Sequence, residues 1–123
     1  MKNKKVLITA GPTREFIDPV RFISNLSSGK LGYKIAEKFS SFGYKVILIS
    51  GPVSLKPPKG VKVYNVVSAS EMFSKVKKFF PQADIFISTA AVCDYKPFKI
   101  KKQKIKKSGL NSLRILKTTR KKP

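Results

Sequence analysis

The strongest constraint on the fold is the alternation of short apolar runs with helical patterns. Four runs rich in β-branched residues predict buried strands at 4–10, 44–50, 61–67 and 84–91. The order is strand, helix, strand, strand, helix, strand, and continuous apolar strands joined in this way pair in parallel. We therefore expect an α/β fold with a Rossmann-like doubly wound, mainly parallel sheet and helices on both faces.

Both predicted helices carry start and stop signals. Apolar residues recur every three to four positions after Gly29, and Gly43 stands where a helix C′ residue is expected. The second pattern has Ser68 or Ser70 as a candidate cap and stops before Pro81.

Two segments fall outside this alternation. Residues 11–28 show no steady period and predict a long loop, of the kind that is usually functional or disordered. A basic stretch follows Lys96, and the apolar run 112–117 after it predicts a fifth strand.

Charge and composition narrow the function classes. Lysine and arginine number 27 against six acidic residues, a net charge of +21 that attracts nucleic acid, anionic lipid or polyphosphate. With no histidine and a single cysteine, Cys93, zinc chemistry, a Ser-His-Asp triad and an internal disulfide are disfavoured. No run approaches 18 apolar residues and no signal-peptide core is present, so we expect a cytoplasmic protein without a membrane partner.

The stretch "SNLSSGKLG" is a candidate phosphate-binding loop. Ser27, Ser28, Gly29 and Lys30 combine hydroxyls, backbone N–H groups and a predicted helix N-terminus, although neither a Walker A nor a GxGxxG motif is present. The alternative is an ordinary helix start, with Ser27 or Ser28 as N-cap and Gly32 allowing close packing on the sheet.

Two further stretches could carry chemistry. "AAVCDY" places Asp94 just past the fourth strand, where a carboxylate can accept from a sugar hydroxyl, help to hold a phosphate-bound metal, or simply cap a turn before Pro97. Cys93 is expected to be a packed residue. The lysines of 101–107 suit a triphosphate, and the alternative is a solvated charged face.

Together these stretches resemble the phosphopantothenate–cysteine ligase family, the synthetase half of the bifunctional coenzyme A biosynthesis flavoprotein. The matching text includes "VLITAGPTRE", "IDPVRFISN", "SSGK", "VILISGPVSL", "TAAV" with "DY", and "KIKKSG". The resemblance implies that 1–117 is the N-terminal part of a CTP-dependent ligase domain and that 118–123 is an unmatched basic tail. Because the family continues beyond "LRILKT", we expect the ligase to be truncated here.

The resemblance also implies the reaction. The carboxylate of 4′-phosphopantothenate attacks the α-phosphate of CTP, giving an acyl-cytidylate and pyrophosphate, and the amine of cysteine then displaces CMP. CTP is the co-substrate, with Mg²⁺ shielding its phosphates, although ATP-using relatives exist. A homodimer is expected, with a flavin-dependent decarboxylase or the C-terminal half as a possible separate partner, and no specific nucleic acid.

The resemblance assigns roles to residues of this chain by their position in the matching motifs. Asn25 matches the residue that handles the acyl-cytidylate, Lys104 the cation of the nucleotide site, and Arg21 a residue near phosphopantothenate, often reached from a neighbouring subunit. The implied catalytic pair is Asn25 and Lys104. The implied nucleotide-binding residues are Ser27, Ser28, Gly29, Lys30, Ser88, Thr89, Ala90, Asp94 and Lys104. Departures from the family are Leu26 at a usually polar position and Cys93 at a usual alanine.

Two readings from other classes compete with the ligase. A non-catalytic nucleotide- or nucleic-acid-binding Rossmann-like module would use the basic tail, but only Tyr95 and Phe98 lie near those lysines to stack on bases. A flavin or NAD reductase is disfavoured because GxGxxG is missing and no acid follows the second predicted strand.

Overall fold

The computed structural model describes residues 4–93, 95–97 and 115–117. The helices are α1 (Lys30–Ser41) and α2 (Ala69–Phe79), the latter followed by a 3-10 turn at Phe80–Gln82. The strands are β1 (Lys5–Ala10), β2 (Arg14–Phe16), β3 (Phe22–Ser24), β4 (Lys45–Ser50), β5 (Val61–Asn65), β6 (Ile85–Ser88), β7 (Tyr95–Pro97) and β8 (Ile115–Lys117).

A four-stranded parallel sheet in the order β5-β4-β1-β6 forms the centre of the structure. Side chains of β1 alternate between its two faces, so Ile8 packs in a cluster with Tyr33 of α1, whereas Leu7 packs with Met72 of α2. The two helices therefore cover opposite faces, which confirms the Rossmann-like doubly wound α/β prediction.

Helix α1 lies very close to the sheet at Gly32. A β-carbon at this position would overlap the β-carbon of Ala10 and lie 2.5 Å from Oγ1 of Thr89. One residue further on, the buried hydroxyl of Tyr33 donates to Oγ of Ser50 at 2.7 Å. The expectation that Gly32 permits close packing is confirmed, and the contact fixes where α1 begins relative to the strand ends.

The loop prediction for 11–28 is wrong in part. Strands β2 and β3 pair as an antiparallel hairpin within it, and the carboxylate of Asp18 closes the turn by accepting from the backbone N–H groups of Val20 and Arg21, both at 2.9 Å. Each strand has only three residues, too few to display an alternating pattern in the sequence.

The fifth strand is present but belongs to a different sheet. Strand β8 pairs antiparallel with β7 instead of extending the central sheet. Two of the central strands are also shorter than predicted, since β5 ends at Asn65 and β6 at Ser88.

The two helices begin differently. Gly29, with φ of 79°, is the N-cap residue of α1 and has no side chain, so the expectation that Ser27 or Ser28 is the N-cap is wrong. Ser68 caps α2 in a capping box with Glu71, whose carboxylate accepts from the backbone N–H groups of Ser68 and Val67. Within the described residues, neither helix has the length and apolar content needed to cross a membrane.

Replacing Gly32 with alanine is expected to destabilise the protein. The added methyl group meets the β-carbon of Ala10 and its neighbouring backbone, and overpacking of this kind costs about 1–3 kcal/mol against a helix-propensity gain of about 1 kcal/mol. Urea unfolding measures the difference. Lys34→Ala, on the exposed side of the same helix, is the control and should change the free energy of unfolding by less than about 0.5 kcal/mol. An unchanged or raised stability for Gly32→Ala would contradict the packing.

The capping box predicts a pH-dependent contribution from Glu71. Its pKa lies below the ordinary value because the carboxylate accepts hydrogen bonds from the backbone of Ser68, then Val67, and from the Ser68 hydroxyl, which outweigh partial burial. The stabilisation is therefore complete above the unfolded-state pKa and is lost as the pH falls through the lower folded-state pKa.

Wild type should exceed Glu71→Gln in free energy of unfolding by about 0.3–1 kcal/mol at neutral pH, the range for an exposed charge at a helix N-terminus. The gap should close in acid, as followed by urea unfolding across pH. Glu37→Gln on α1 is the control. A gap that persists in acid would contradict the charge-dependent cap.

Candidate functional site

A cleft of about 450 Å³ opens beside the carboxyl ends of β1 and β4. Pro12 follows β1 and Pro52 follows β4, while Asn25, Ser27 and Ser28 line the side that leads into α1. The carboxyl ends of parallel strands are the usual ligand-binding edge of a doubly wound sheet. Three of the sequence-predicted site residues therefore meet in one cleft.

The loops beside the cleft are held by backbones packed without side chains between them. The N–H of Gly51 donates to the carbonyl of Ala10 at 2.9 Å, and a β-carbon on Gly51 would overlap the carbonyl oxygen of Pro12. Val53 packs where a β-carbon of Gly29 would be. The loops after β1 and β4 are thus held directly beneath the start of α1.

The N-terminus of α1 begins directly after the residues that line the cleft. Ser28 is exposed and its hydroxyl accepts from the N–H of Lys30 at 3.3 Å, while Gly29 is buried in a left-handed conformation. The first turn contains no acidic residue, and a helix N-terminus favours negative charge. Ser27 and Ser28 line the cleft at this helix end, whereas Gly29 and Lys30, the other two residues of the predicted loop, do not.

Asn25 is exposed in the cleft and linked to a distant segment. Its Nδ2 donates to the carbonyl of Ala91 at 3.2 Å, and the same carbonyl accepts from the N–H of Thr13. The hydrogen bond to Ala91 thus positions the amide group of Asn25. Leu26, the neighbour at a usually polar position, also lines the cleft and is fully exposed.

The residues at the end of β6 and just after it pack against neighbouring elements and do not line the cleft. The N–H and hydroxyl of Thr89 both donate to the carbonyl of Thr9, at 3.0 and 2.6 Å, and the Thr9 hydroxyl donates to Oγ of Ser88. Ala90 packs against the apolar cluster on the α2 side of the sheet. These contacts carry the chain to Ala91, the partner of Asn25.

Of the other predicted residues, Arg21 is described and lies outside the cleft, whereas two lie beyond the described residues. Arg21 lies in the hairpin turn, with its Nε 3.8 Å from a carboxylate oxygen of the buried Asp18, and does not line the cleft. Asp94 and Lys104 lie outside the described residues. The described residues include no group of three or more cysteine or acidic side chains placed to hold a metal ion.

Thr13 is a structural residue that the sequence patterns did not indicate. It is fully buried, its N–H donates to Ala91 at 3.2 Å, its hydroxyl accepts from the N–H of Cys93 at 2.8 Å, and its carbonyl accepts from the Ser24 hydroxyl at 2.7 Å. Cys93 is itself buried, as expected. The only sequence signal was the position of Thr13 directly after "AGP".

The chain is similar in sequence to proteins of coenzyme A biosynthesis. The profile of the DNA/pantothenate metabolism flavoprotein C-terminal domain matches residues 1–122. A coenzyme A biosynthesis bifunctional protein of Vibrio parahaemolyticus is 50% identical over 117 residues, which is 95% of this chain and 29% of that protein. The counterpart in Vibrio vulnificus is 54% identical over 108 residues, 88% of this chain and 27% of that protein.

A solved structure shares the fold. The crystal structure of the C-terminal domain of a coenzyme A biosynthesis bifunctional protein, CoaBC, aligns with a TM-score of 0.84 at 43% identity and covers 98% of this chain. The match covers 56% of that solved chain. The present chain therefore spans just over half of the solved domain and less than a third of the full-length relatives.

Replacing Thr13 with valine is expected to lower the free energy of unfolding by about 1–3 kcal/mol, because the buried N–H of Cys93 loses its acceptor. Urea unfolding gives the stability, and amide hydrogen exchange at Cys93 reports the local loss. Thr13→Ser is the matched control, since it keeps the hydroxyl and should preserve the slow exchange. Equal exchange in the valine and serine variants would contradict the role of this hydroxyl.

Proposed function

Because the chain belongs to the family of the DNA/pantothenate metabolism flavoprotein C-terminal domain, we propose that it is a phosphopantothenate–cysteine ligase domain of coenzyme A biosynthesis and forms the part of the site where the acid is activated. The observation that carries the proposal is a cleft that brings Asn25 beside Ser27 and Ser28 at the start of α1. The relatives at 50% and 54% identity, named for coenzyme A biosynthesis, support it.

The proposed reaction has two steps. A carboxylate oxygen of 4′-phosphopantothenate forms a bond to the α-phosphorus of CTP, while the bond from that phosphorus to the bridging oxygen breaks and pyrophosphate leaves. The amine nitrogen of cysteine then attacks the acyl carbon, loses a proton and expels CMP. Both steps gain from holding the two reactants in line within one cleft.

The roles proposed for the residues follow from where they lie. The backbone and hydroxyls of Ser27 and Ser28, with Gly29 and Lys30 behind them, receive phosphate oxygens at the positive end of α1. Asn25, held by Ala91, places its amide beside the acyl group and stabilises charge there without a proton transfer.

Other roles rest on the family resemblance. We assign Ser88, Thr89, Ala90 and Asp94 to the cytidine side and Arg21 to the acid substrate. Lys104 is assigned to the charge that develops as the cytidylate forms. We assign Mg²⁺ to the phosphates of CTP, as the family resemblance implies.

The proposed partners are a second copy of the chain and a flavin-dependent decarboxylase. The relatives are named as bifunctional proteins, which supports a second activity beside the ligase, and the family resemblance assigns it to a fused or separate decarboxylase. A homodimer would bring Arg21, which lies outside the cleft in one copy, toward a neighbouring site. The proposed location is the cytoplasm.

Calorimetry tests the nucleotide assignment. CTP with Mg²⁺ should bind saturably at physiological salt and more tightly than ATP. Lys104→Gln should weaken CTP binding by about tenfold, as expected for loss of a charged hydrogen bond, and Asn25→Ala by less than about threefold.

Lys62→Gln, which removes one charge from the outer strand β5, is the control for general attraction and should leave CTP affinity unchanged. Equal binding of CTP, ATP and single-stranded DNA that disappears with added salt would instead support a polyanion-binding module and overturn the ligase assignment.

A further inference from the structure

Arg14 occupies a place in the cleft that the proposed roles leave unused. It belongs to β2, lines the cleft wall, and its guanidinium carbon lies 4.4 Å from the ring centroid of Phe22 on β3. The backbone around it is fixed, because the N–H of Arg14 donates to the carbonyl of Val67 at 2.7 Å. The guanidinium is therefore stacked on an aromatic face that belongs to the same cleft.

The two described carboxylates of the hairpin, Glu15 and Asp18, have other partners. Glu15, the next residue, accepts from the backbone N–H of Ala69 at the start of α2 at 2.9 Å, and Asp18 binds the hairpin turn and Arg21. Among the side chains of residues 4–93, the Arg14 guanidinium has neither an ion-pair partner nor a hydrogen-bond partner. No side chain among residues 4–93 therefore competes with a molecule in the cleft for the N–H donors of Arg14.

Arginine stacked in this way is suited to one class of ligand. The planar guanidinium binds carboxylate and phosphate oxygens with two parallel hydrogen bonds, and stacking fixes its plane in advance. The same cleft ends at Ser27 and Ser28 beside the α1 N-terminus, so it offers two separate places for anionic groups. A nucleotide uses one, which leaves Arg14 for the second reactant.

We propose that Arg14, stacked on Phe22, binds an oxyanion of the acid substrate. This inference rests on the proposed ligase function and adds a residue that determines the specificity for that substrate. The oxyanion is either the carboxylate or the phosphate of 4′-phosphopantothenate, which share the geometry that a guanidinium recognises.

Binding measurements on three probes test the proposal and separate the two oxyanions. The probes are 4′-phosphopantothenate, pantothenate, which has only the carboxylate, and 4′-phosphopantetheine, which has only the phosphate. Arg14→Gln should weaken 4′-phosphopantothenate binding by about tenfold or more, as for a lost charged hydrogen bond, and leave CTP binding within about twofold. A matching loss for pantothenate identifies the carboxylate, and a matching loss for 4′-phosphopantetheine identifies the phosphate.

Further variants separate stacking, charge and folding. Phe22→Leu should give a smaller loss, because the guanidinium remains but its plane is released, and Arg14→Lys should retain only part of the affinity. Lys62→Gln is the matched control. The Nζ of Lys62 also lies over an aromatic ring, 5.6 Å from the centroid of Tyr64, but Lys62 does not line the cleft. This variant should bind every probe as wild type does. Retained CTP binding by the Arg14 variants shows that they fold.

Two results would overturn the inference, and they are distinguishable. If wild type binds 4′-phosphopantothenate and Arg14→Gln binds it equally well, the role of Arg14 is wrong and the proposed function stands. If wild type binds neither CTP nor 4′-phosphopantothenate, the proposed function fails and the role of Arg14 fails with it.

Discussion

The close contact of helix α1 with the central sheet is the constraint on which the site depends. Gly32 leaves no room for a side chain between the helix and Ala10, and the hydroxyl of Tyr33 reaches Ser50 at the end of β4. These contacts hold the N-terminus of α1 over the two strand ends. Since the strand order places β1 and β4 side by side, their loops and the helix start meet at the same edge. The cleft is a direct consequence of this arrangement.

The sequence predicted the central sheet well because its signal is local. Long apolar runs mark β1 and β4, and a helical period marks α1. The hairpin of β2 and β3 was not predicted, because its strands are short and its turn is closed by the carboxylate of Asp18, a contact that carries no periodic signal. The start of α1 was misassigned to a serine cap because a left-handed glycine can begin a helix without one.

The sequence indicated only some of the residues of the candidate site. The family resemblance indicated Asn25, Ser27 and Ser28, and the structure brings all three into the cleft. Thr13 and Arg14 were missed because their roles depend on partners that sequence spacing does not reveal: Cys93 lies 80 positions from Thr13, and Phe22 lies on the opposite strand of an unpredicted hairpin. The roles of Asp94 and Lys104 remain predictions from sequence.

General charge attraction and a specific site predict different orientation and salt dependence for a bound polyanion. A net charge of +21 draws any polyanion toward the surface, but it does not fix orientation and is weakened by salt. The cleft at the start of α1 provides orientation.

The most direct test is an NMR titration of the isotopically labelled protein with CTP and Mg²⁺ at physiological salt. The account predicts saturable amide shifts concentrated at residues 25–30 and 88–93. Shifts spread over the lysines of β5 and α2, with no response at 25–30, would contradict it.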